Sequence, residues 1–402
     1  MKNGNIMNRF YLSLLVEHFK QDDQMAFLCG PRQVGKTTLA KQVGEALLPY
    51  TYLNWDSLPH REQILTHAFR PLPVLGGEKR TLLLDEIHKY RQWKSYLKGL
   101  YDTEKAHFRF LVTGSAKLNI FRRSEDSLMG RYFLYRIHPL SVAECVQESR
   151  SPGLLQAPKA ISFDAFDALF QWGGFPEPFI KQSQTFHRRW QRLRQEQTLG
   201  ELRDLTQIQQ LAKVEVLAEL LHHQAGQLVN YSQLAKKVRV AVNTIIGWTQ
   251  ALSQLYFCFF LKPWSKNLSR SLLKEPKCYL WDWSTLEDLG ARCENFVASH
   301  LLKATQFWTD AGLGDYQLYF LRTKDQKEVD FLVTENKKPW FLVEVNQSHK
   351  TGLSPHLKNF QQALNAPHAF QVAFDLPFVA QDCFAETSPV IVPATTFLSQ
   401  LV

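Results

Sequence analysis

The chain has 402 residues, of which 45% are hydrophobic and 21% charged, so it can build sizeable cores in about two to four domains and is neither disordered nor fibrous in composition. A formal net charge of +9 favours a polyanionic partner, although plain solubilising charge reads the same way. Six scattered cysteines without a CxxC pair read as reduced core thiols, no apolar run approaches the roughly 20 residues of a membrane helix, and MKNGNIMNRF has no signal-peptide pattern, so a cytoplasmic protein without membrane contact is expected.

Residues 9–19 predict a helix carrying Phe10, Leu12, Leu15 and Phe19. Next comes FLCGPRQVGKTTLA, residues 27–40, an apolar strand, a glycine-bounded loop and an amphipathic start: the order of a phosphate-binding P-loop. Gly30 and Gly35 let the loop Gly30-Pro31-Arg32-Gln33-Val34-Gly35 turn its amides inward, and the helix opened by Lys36, Thr37 and Thr38 aims its positive end at the same anion. Lys36 reaches for the β- and γ-phosphates of ATP, and the Thr37 hydroxyl for Mg2+. TYLNWD (51–56) predicts a second strand, and Pro71, Pro73, Gly76 and Gly77 a loop. TLLLDEIHK (81–89) then predicts a strand buried on both faces that delivers Asp85, a Mg2+ ligand, and Glu86, which orients and deprotonates the attacking water. FRFLVT (108–113) ends a further strand, placing Thr113 or Ser115 where a hydroxyl could sense the γ-phosphate, unless the two only make a turn. Arg122, Arg123 and Arg131 follow. Arg131 is the preferred finger that would neutralise transition-state charge in a neighbouring subunit, its alternative being a surface cation.

GPRQVGKTT, LLLDE, VTGSAK, MGRYFLYRIHPLSVAE and WGGFPEPF together resemble the prokaryotic AAA+ type ATPases whose P-loop domain is followed by a winged helix and a restriction-endonuclease-like domain. The resemblance implies an α/β core with a parallel sheet ordered 5-1-4-3-2, nucleotide bound between subunits, a finger arginine acting in trans, and a homo-oligomer, a hexamer by analogy.

Ser141-Val-Ala-Glu144 is a capping box that starts a helix, 149–159 reads as a linker, and Gly173-Gly174-Phe175-Pro176 as a tight structural turn. Residues 187–203 carry Arg188, Arg189, Arg192, Arg194 and Arg203, which form either a nucleic-acid or nucleotide-sensing face or a solvated helix side. From Leu211 to Pro263 three short helices and a strand have the order of a winged helix-turn-helix. Asn243, Thr244 and Trp248 stand on the recognition helix, with Lys236, Lys237 and Arg239 ahead of it. It would contact DNA, or serve as a packing or protein-contact module.

A last domain begins near Lys277, with a helix over 290–303 and strands over 316–322, 328–333 and 340–345. Glu294, Asp330 and Glu344 fall where PD-(D/E)xK nucleases place metal carboxylates, which gives a possible second Mg2+ site by resemblance. Asn346 stands where that pattern has lysine, so Lys327 or Lys350 would have to supply the charge, and an inactive nuclease fold kept for DNA or protein binding is expected.

The sequence thus reads as a P-loop AAA+ core (1–140), a helical lid (141–208), a winged helix-turn-helix (209–276) and an α/β PD-(D/E)xK-like domain (277–402). The expected function is Mg-ATP hydrolysis coupled to work on DNA. The alternatives are a nucleotide-dependent switch or scaffold with a protein partner, of the defence or toxin-antitoxin kind, and a Mg-dependent nuclease.

Overall fold

The computed structural model describes residues 9–69, 79–114, 128–205, 210–265, 275–323 and 325–402. Contacts divide the chain into two units, 1–138 and 139–402.

In the first unit, α1 (Phe10–Gln21) leads into β1 (Met25–Cys29), α2 (Lys36–Ala46), β2 (Tyr50–Asn54), α3 (Leu58–Thr66), β3 (Arg80–Asp85), α4 (Trp93–Glu104), β4 (Phe108–Gly114) and β5 (Tyr132–Arg136). The strands form one parallel sheet ordered β2-β3-β4-β1-β5, which read from the other edge is the expected 5-1-4-3-2. Central strands β1, β3 and β4 are near-continuous apolar runs because helices cover both sheet faces. Phe27, Leu82, Leu84, Phe110 and Val112 pack with Trp93 and Leu97 of α4 in one core.

The second unit contains α5 (Val142–Val146), α6 (Phe163–Trp172), α7 (Pro176–Lys181), α8 (Gln184–Leu205), α9 (Leu211–His223), α10 (Tyr231–Val238), α11 (Val242–Gln254), β6 (Cys258–Leu261), β7 (Lys277–Leu280), α12 (Leu289–Asp310), β8 (Tyr316–Arg322), β9 (Glu328–Glu335), β10 (Lys338–Asn346), α13 (Pro355–Leu364), β11 (His368–Ala373), β12 (Val390–Pro393) and α14 (Ala394–Ser399). Strands β6 and β7 pair antiparallel next to α9–α11. Helix α10 starts one residue before the expected Ser232, because the Asn230 side-chain Oδ1 caps it by accepting from the Gln233 amide at 2.8 Å. The remaining five strands form a mixed sheet ordered β12-β11-β10-β9-β8. Leu332, Leu342 and Ala369 pack with Leu357 of α13 on one face, and α12 packs on the same sheet with its apolar side. All six cysteines are free thiols, five of them buried, as the sequence suggests.

The capping box at Ser141 is present, with Ser141 Oγ accepting from the Glu144 amide at 3.4 Å. The Glu144 side chain also has a long-range partner. Lys303 of α12, fully buried, donates to Glu144 Oε2, to Ser141 Oγ at 2.9 Å and to the Pro139 carbonyl at 3.1 Å. Beside them the Val142 amide donates to His300 Nε2 at 3.1 Å. The other ring nitrogen, Nδ1, therefore carries the proton and donates to the Phe296 carbonyl at 2.7 Å. Burial holds this imidazole neutral, its pKa pushed down to about 3.

Removing one member of a buried pair strands the other's charge. Lys303→Met is expected to destabilise the second unit by about 3–5 kcal/mol in urea unfolding, and Lys303→Met with Glu144→Leu to recover most of that loss. Equal destabilisation by the single and double variants would show that the pair does not hold α5 onto α12.

Candidate nucleotide-binding site

The turn after β1 is built for close backbone approach. A Cβ on Gly30 would lie 2.3 Å from the Ile137 carbonyl oxygen, and Gly35 caps α2 in the left-handed region at φ 95°. Arg9, just ahead of α1, is buried and donates to the carbonyls of Val34 (3.1 Å) and His138, tying the loop to the start of the chain. The Arg9 side chain is thus a loop-positioning group that helix periodicity does not reveal, because both of its partners are backbone atoms distant in sequence.

Lys36 lies in this cradle with its ammonium donating to the carbonyls of Gly30 (2.9 Å) and Pro31 (2.7 Å). Burial pushes it down to about 8, against the pull of Glu86 and other negative groups. A buried cation that meets only neutral carbonyls is the electrostatic complement of an anion. Thr37, the next residue, donates to Asp85 Oδ2 at 3.0 Å. The same oxygen accepts from Tyr52 of β2 at 2.8 Å, and Oδ1 accepts from Thr113 of β4. Thr37 and Asp85 are therefore side by side as an oxygen pair suited to Mg2+ with a bound nucleotide, and Lys36, Gly35 and the first amides of α2 suit its phosphates.

Glu86 follows in the left-handed region at φ 57° and turns the chain into the 3-10 turn Ile87–Lys89. Its carboxylate lies 3.2 Å from Lys89 Nζ and 3.7 Å from His88 Nε2, and Lys89 also pairs with Asp56. Thr113 sits where a γ-phosphate sensor is expected, but in this structure its hydroxyl is directed at Asp85. Ser115, Arg122 and Arg123 lie outside the described residues. Arg131 makes a two-pronged ion pair with Asp102 at 2.8 and 3.0 Å. Tyr52 is a site residue that sequence reasoning missed; the one available signal was its place inside the predicted strand 51–56.

In the second unit, α12, β9 and β10 bring Glu294, Asp330 and Glu344 together, but a lysine ammonium stands among them. Lys277 of β7 lies 3.1 Å from Glu294 and 3.8 Å from Asp330 and pairs with Glu328, while Tyr279 donates to Glu294 at 2.7 Å. Among the described residues no group of three or more His, Cys, Asp or Glu is arranged to hold a metal ion, so the structure gives the expected second Mg2+ site no support. Neither Lys327 nor Lys350 enters the cluster: both are exposed, and Asn346 donates to Thr351 at 3.0 Å. The charge comes from Lys277, placed from another strand. Burial, with the neighbouring Glu294 and Glu344, drives the Asp330 carboxyl well above its usual range, and burial lifts Glu344 to about 7. On the α10–α11 hairpin, Lys236, Lys237, Arg239 and Asn243 are exposed and Thr244 is half-buried. Trp248, farther along the same helix, is in the core at 7% exposure.

Residues 22–146 match an AAA domain family, 163–292 a domain of unknown function (DUF8612) and 289–382 another (DUF4143). The first unit is therefore a P-loop domain of the AAA type. An uncharacterized protein of Mycobacterium tuberculosis is 27% identical over 334 residues, covering 79% of this chain and 69% of its own. One of Methanocaldococcus jannaschii is 23% identical over 296 residues, covering 65% and 62%. Among solved structures, a Walker-type ATPase of Pyrococcus abyssi superposes with a TM-score of 0.40 at 14% identity, covering 63% of this chain and 91% of that one. No described helix is long and apolar enough to cross a membrane.

The lowered Lys36 pKa sets the pH dependence of nucleotide binding. A phosphate held by Lys36 favours the ammonium and raises its pKa in the bound state. Below pH 8 the free site is already charged and affinity is flat. Above pH 8 binding must take up a proton, and affinity falls by up to about tenfold per pH unit. Calorimetric ADP titrations in buffers of different ionisation enthalpy are expected to show net proton uptake at pH 9 and little at pH 7, with Lys36→Arg abolishing the difference. No uptake at pH 9 would overturn the role given to burial.

Proposed function

We propose that the chain hydrolyses ATP with Mg2+ and couples the cycle to binding and remodelling of DNA, with the second unit as the recognition module. The observation that carries the ATPase half is the Thr37–Asp85 hydrogen bond beside a buried Lys36 with only carbonyl partners. Mg2+ held by Thr37 and Asp85 would neutralise phosphate charge and align the leaving group. Tyr52 and Thr113 keep the Asp85 carboxylate in position for that ligation. Glu86 acts as base on the attacking water once its carboxylate leaves Lys89, a partly exposed pair of the kind worth about 0–1 kcal/mol. Arg131 is the group offered to a neighbouring subunit of a homo-oligomer, a hexamer by analogy; its pairing with Asp102 would be exchanged for phosphate oxygens in trans.

Support for nucleic acid comes from the exposed cations Lys236, Lys237 and Arg239, which immediately precede a helix that presents Asn243 at its start. The order of three helices followed by the antiparallel β6–β7 pair supports reading the region as a winged helix-turn-helix, with β6–β7 as the wing. In the α12 and β8–β12 region, Lys277 pairs with Glu294, Glu328 and Asp330, which favours a binding role for this region over strand cutting.

Glu86→Gln is expected to retain ATP binding while losing at least about a hundredfold in turnover, and Lys36→Ala to lose binding itself. Equal turnover in wild type and Glu86→Gln would remove Glu86 as the base. With duplex, branched and single-stranded DNA in turn, the ATPase rate is expected to rise. DNA affinity should fall steeply between 50 and 200 mM salt, and Lys236→Ala with Lys237→Ala should reduce the salt slope by about two. A rate indifferent to every DNA, with no binding at low salt, would favour a nucleotide-dependent scaffold for a protein partner.

A further inference from the structure

The second unit contains a cavity of about 410 Å3 bounded by α8, α9 and the segment that follows β7, within the roughly 300–1,000 Å3 of small-molecule sites. Three arginines of α8, Arg188, Arg192 and Arg194, line it together with Thr198, His222 and Phe257. Arg188 and Arg192, four residues apart, share one exposed side of α8, and Arg194 reaches the cavity from a different side of the same helix.

Arg194 is the most informative of them. Its guanidinium lies flat against Phe175, 3.7 Å from the ring centroid, and 5.0 Å from that of Trp190, which fixes the plane of the fork. Its Nη1 is buried and has no hydrogen-bond partner. Burial draws the group down to about 10, so it stays charged at neutral pH while missing an acceptor. The acids at the cavity do not supply one. Asp282 accepts from the amide and hydroxyl of Ser284, Glu219 is exposed on α9, and Glu196, outside the lining, pairs with Arg192 at 3.1 Å. His222 Nε2 donates to the Thr285 carbonyl at 3.2 Å. Buried nitrogen donors without acceptors are uncommon and call for an anion or water. A planar, pre-stacked guanidinium with two more at the rim matches the oxygen fork of a phosphate. Phe257, Ala218 and Leu280 add an apolar part to an otherwise polar lining, and Phe257 can cover a base.

We propose that this cavity is a binding site for a phosphomonoester carried on an apolar or aromatic body, taken from a free nucleoside monophosphate or from the 5′-phosphorylated end of a strand. It is separate from the P-loop and holds whether or not ATP is hydrolysed there. Arg194 grips the phosphate from the wall, Arg188 and Arg192 close over it from the rim, and Phe257 meets the body.

The test uses the full chain with Lys36→Ala and Thr37→Ala, so that the P-loop does not compete. It is titrated calorimetrically with inorganic phosphate, AMP, and a single-stranded hexanucleotide with either a 5′-phosphate or a 5′-hydroxyl. Saturable binding near one per chain by AMP or by the 5′-phosphorylated strand is expected. Arg188→Gln, at the exposed rim, should weaken it about tenfold. Arg194→Lys, which keeps the charge and loses the flat fork, should weaken it at least as much with an unchanged melting temperature. Preference for AMP identifies a free ligand as the source, and preference for the phosphorylated strand identifies a strand end. The proposal is overturned by absence of binding by all four probes, by equal binding of 5′-phosphate and 5′-hydroxyl strands without AMP binding, or by affinities that Arg188→Gln leaves unchanged.

Discussion

The Asp85 carboxylate organises the first unit. It is 5% exposed and receives hydroxyls from three different elements: Thr37 at the start of α2, Tyr52 in β2 and Thr113 at the end of β4. A carboxylate so deeply placed is tolerable only when its oxygens are hydrogen-bonded. Satisfying it therefore fixes the carboxyl ends of three neighbouring strands and the first turn of the P-loop helix relative to one another. The position of Lys36 follows, since it is the residue before Thr37, and so does the cradle that Gly30 and Gly35 permit. Arg9 closes the far side of the loop through the Val34 carbonyl, so the loop is held from both flanks by side chains outside the motif.

The two units handle buried positive charge in opposite ways. Lys36 is left with carbonyl oxygens and loses much of its hold on a proton, the condition of a group that gains when an anion arrives. Lys277 stands among Glu294, Glu328 and Asp330, and those acids hold its proton more firmly than usual despite burial. One site is deficient in negative charge and the other has a surplus of it. Burial first, and after it the neighbouring acids, push Asp330 and Glu344 toward the neutral acid, because one ammonium does not compensate every carboxylate packed around it.

What could be read from the sequence was whatever is encoded by near neighbours. The P-loop, the LLLDE strand, the Ser141 capping box and the hairpin closed by Thr323 and Lys327 each depend on residues within a few positions of one another, and each is found. The sheet order came only through family resemblance, because strand pairing is a long-range matter that local pattern does not encode. Tyr52, Arg9 and Lys277 were missed for the same reason: their partners are 33, 25 and 17 positions away or more. Thr113 lies at the end of β4, and its hydroxyl bonds to Asp85 of β3, a neighbour that only strand pairing brings close. Trp248 lies on the same helix as Asn243 and Thr244 but contributes its area to the core.

The cluster at Lys277 also changes how the nuclease-like pattern is to be weighed. Asn346 looked decisive in sequence because the motif expects a lysine two positions after Glu344. Electrostatics depends on distance in space, and a lysine from β7 reaches the carboxylates directly. That lysine lies among them as an ion-pair partner and so compensates part of their charge. The net charge of +9 needs the same treatment. Lys277, Lys303 and Arg9 are consumed by the fold and attract nothing from solution, whereas Lys236, Lys237 and Arg239 stand in water next to one another. A polyanion would meet the second group, so the argument for a nucleic-acid partner rests on where those three cations lie and gains little from the total.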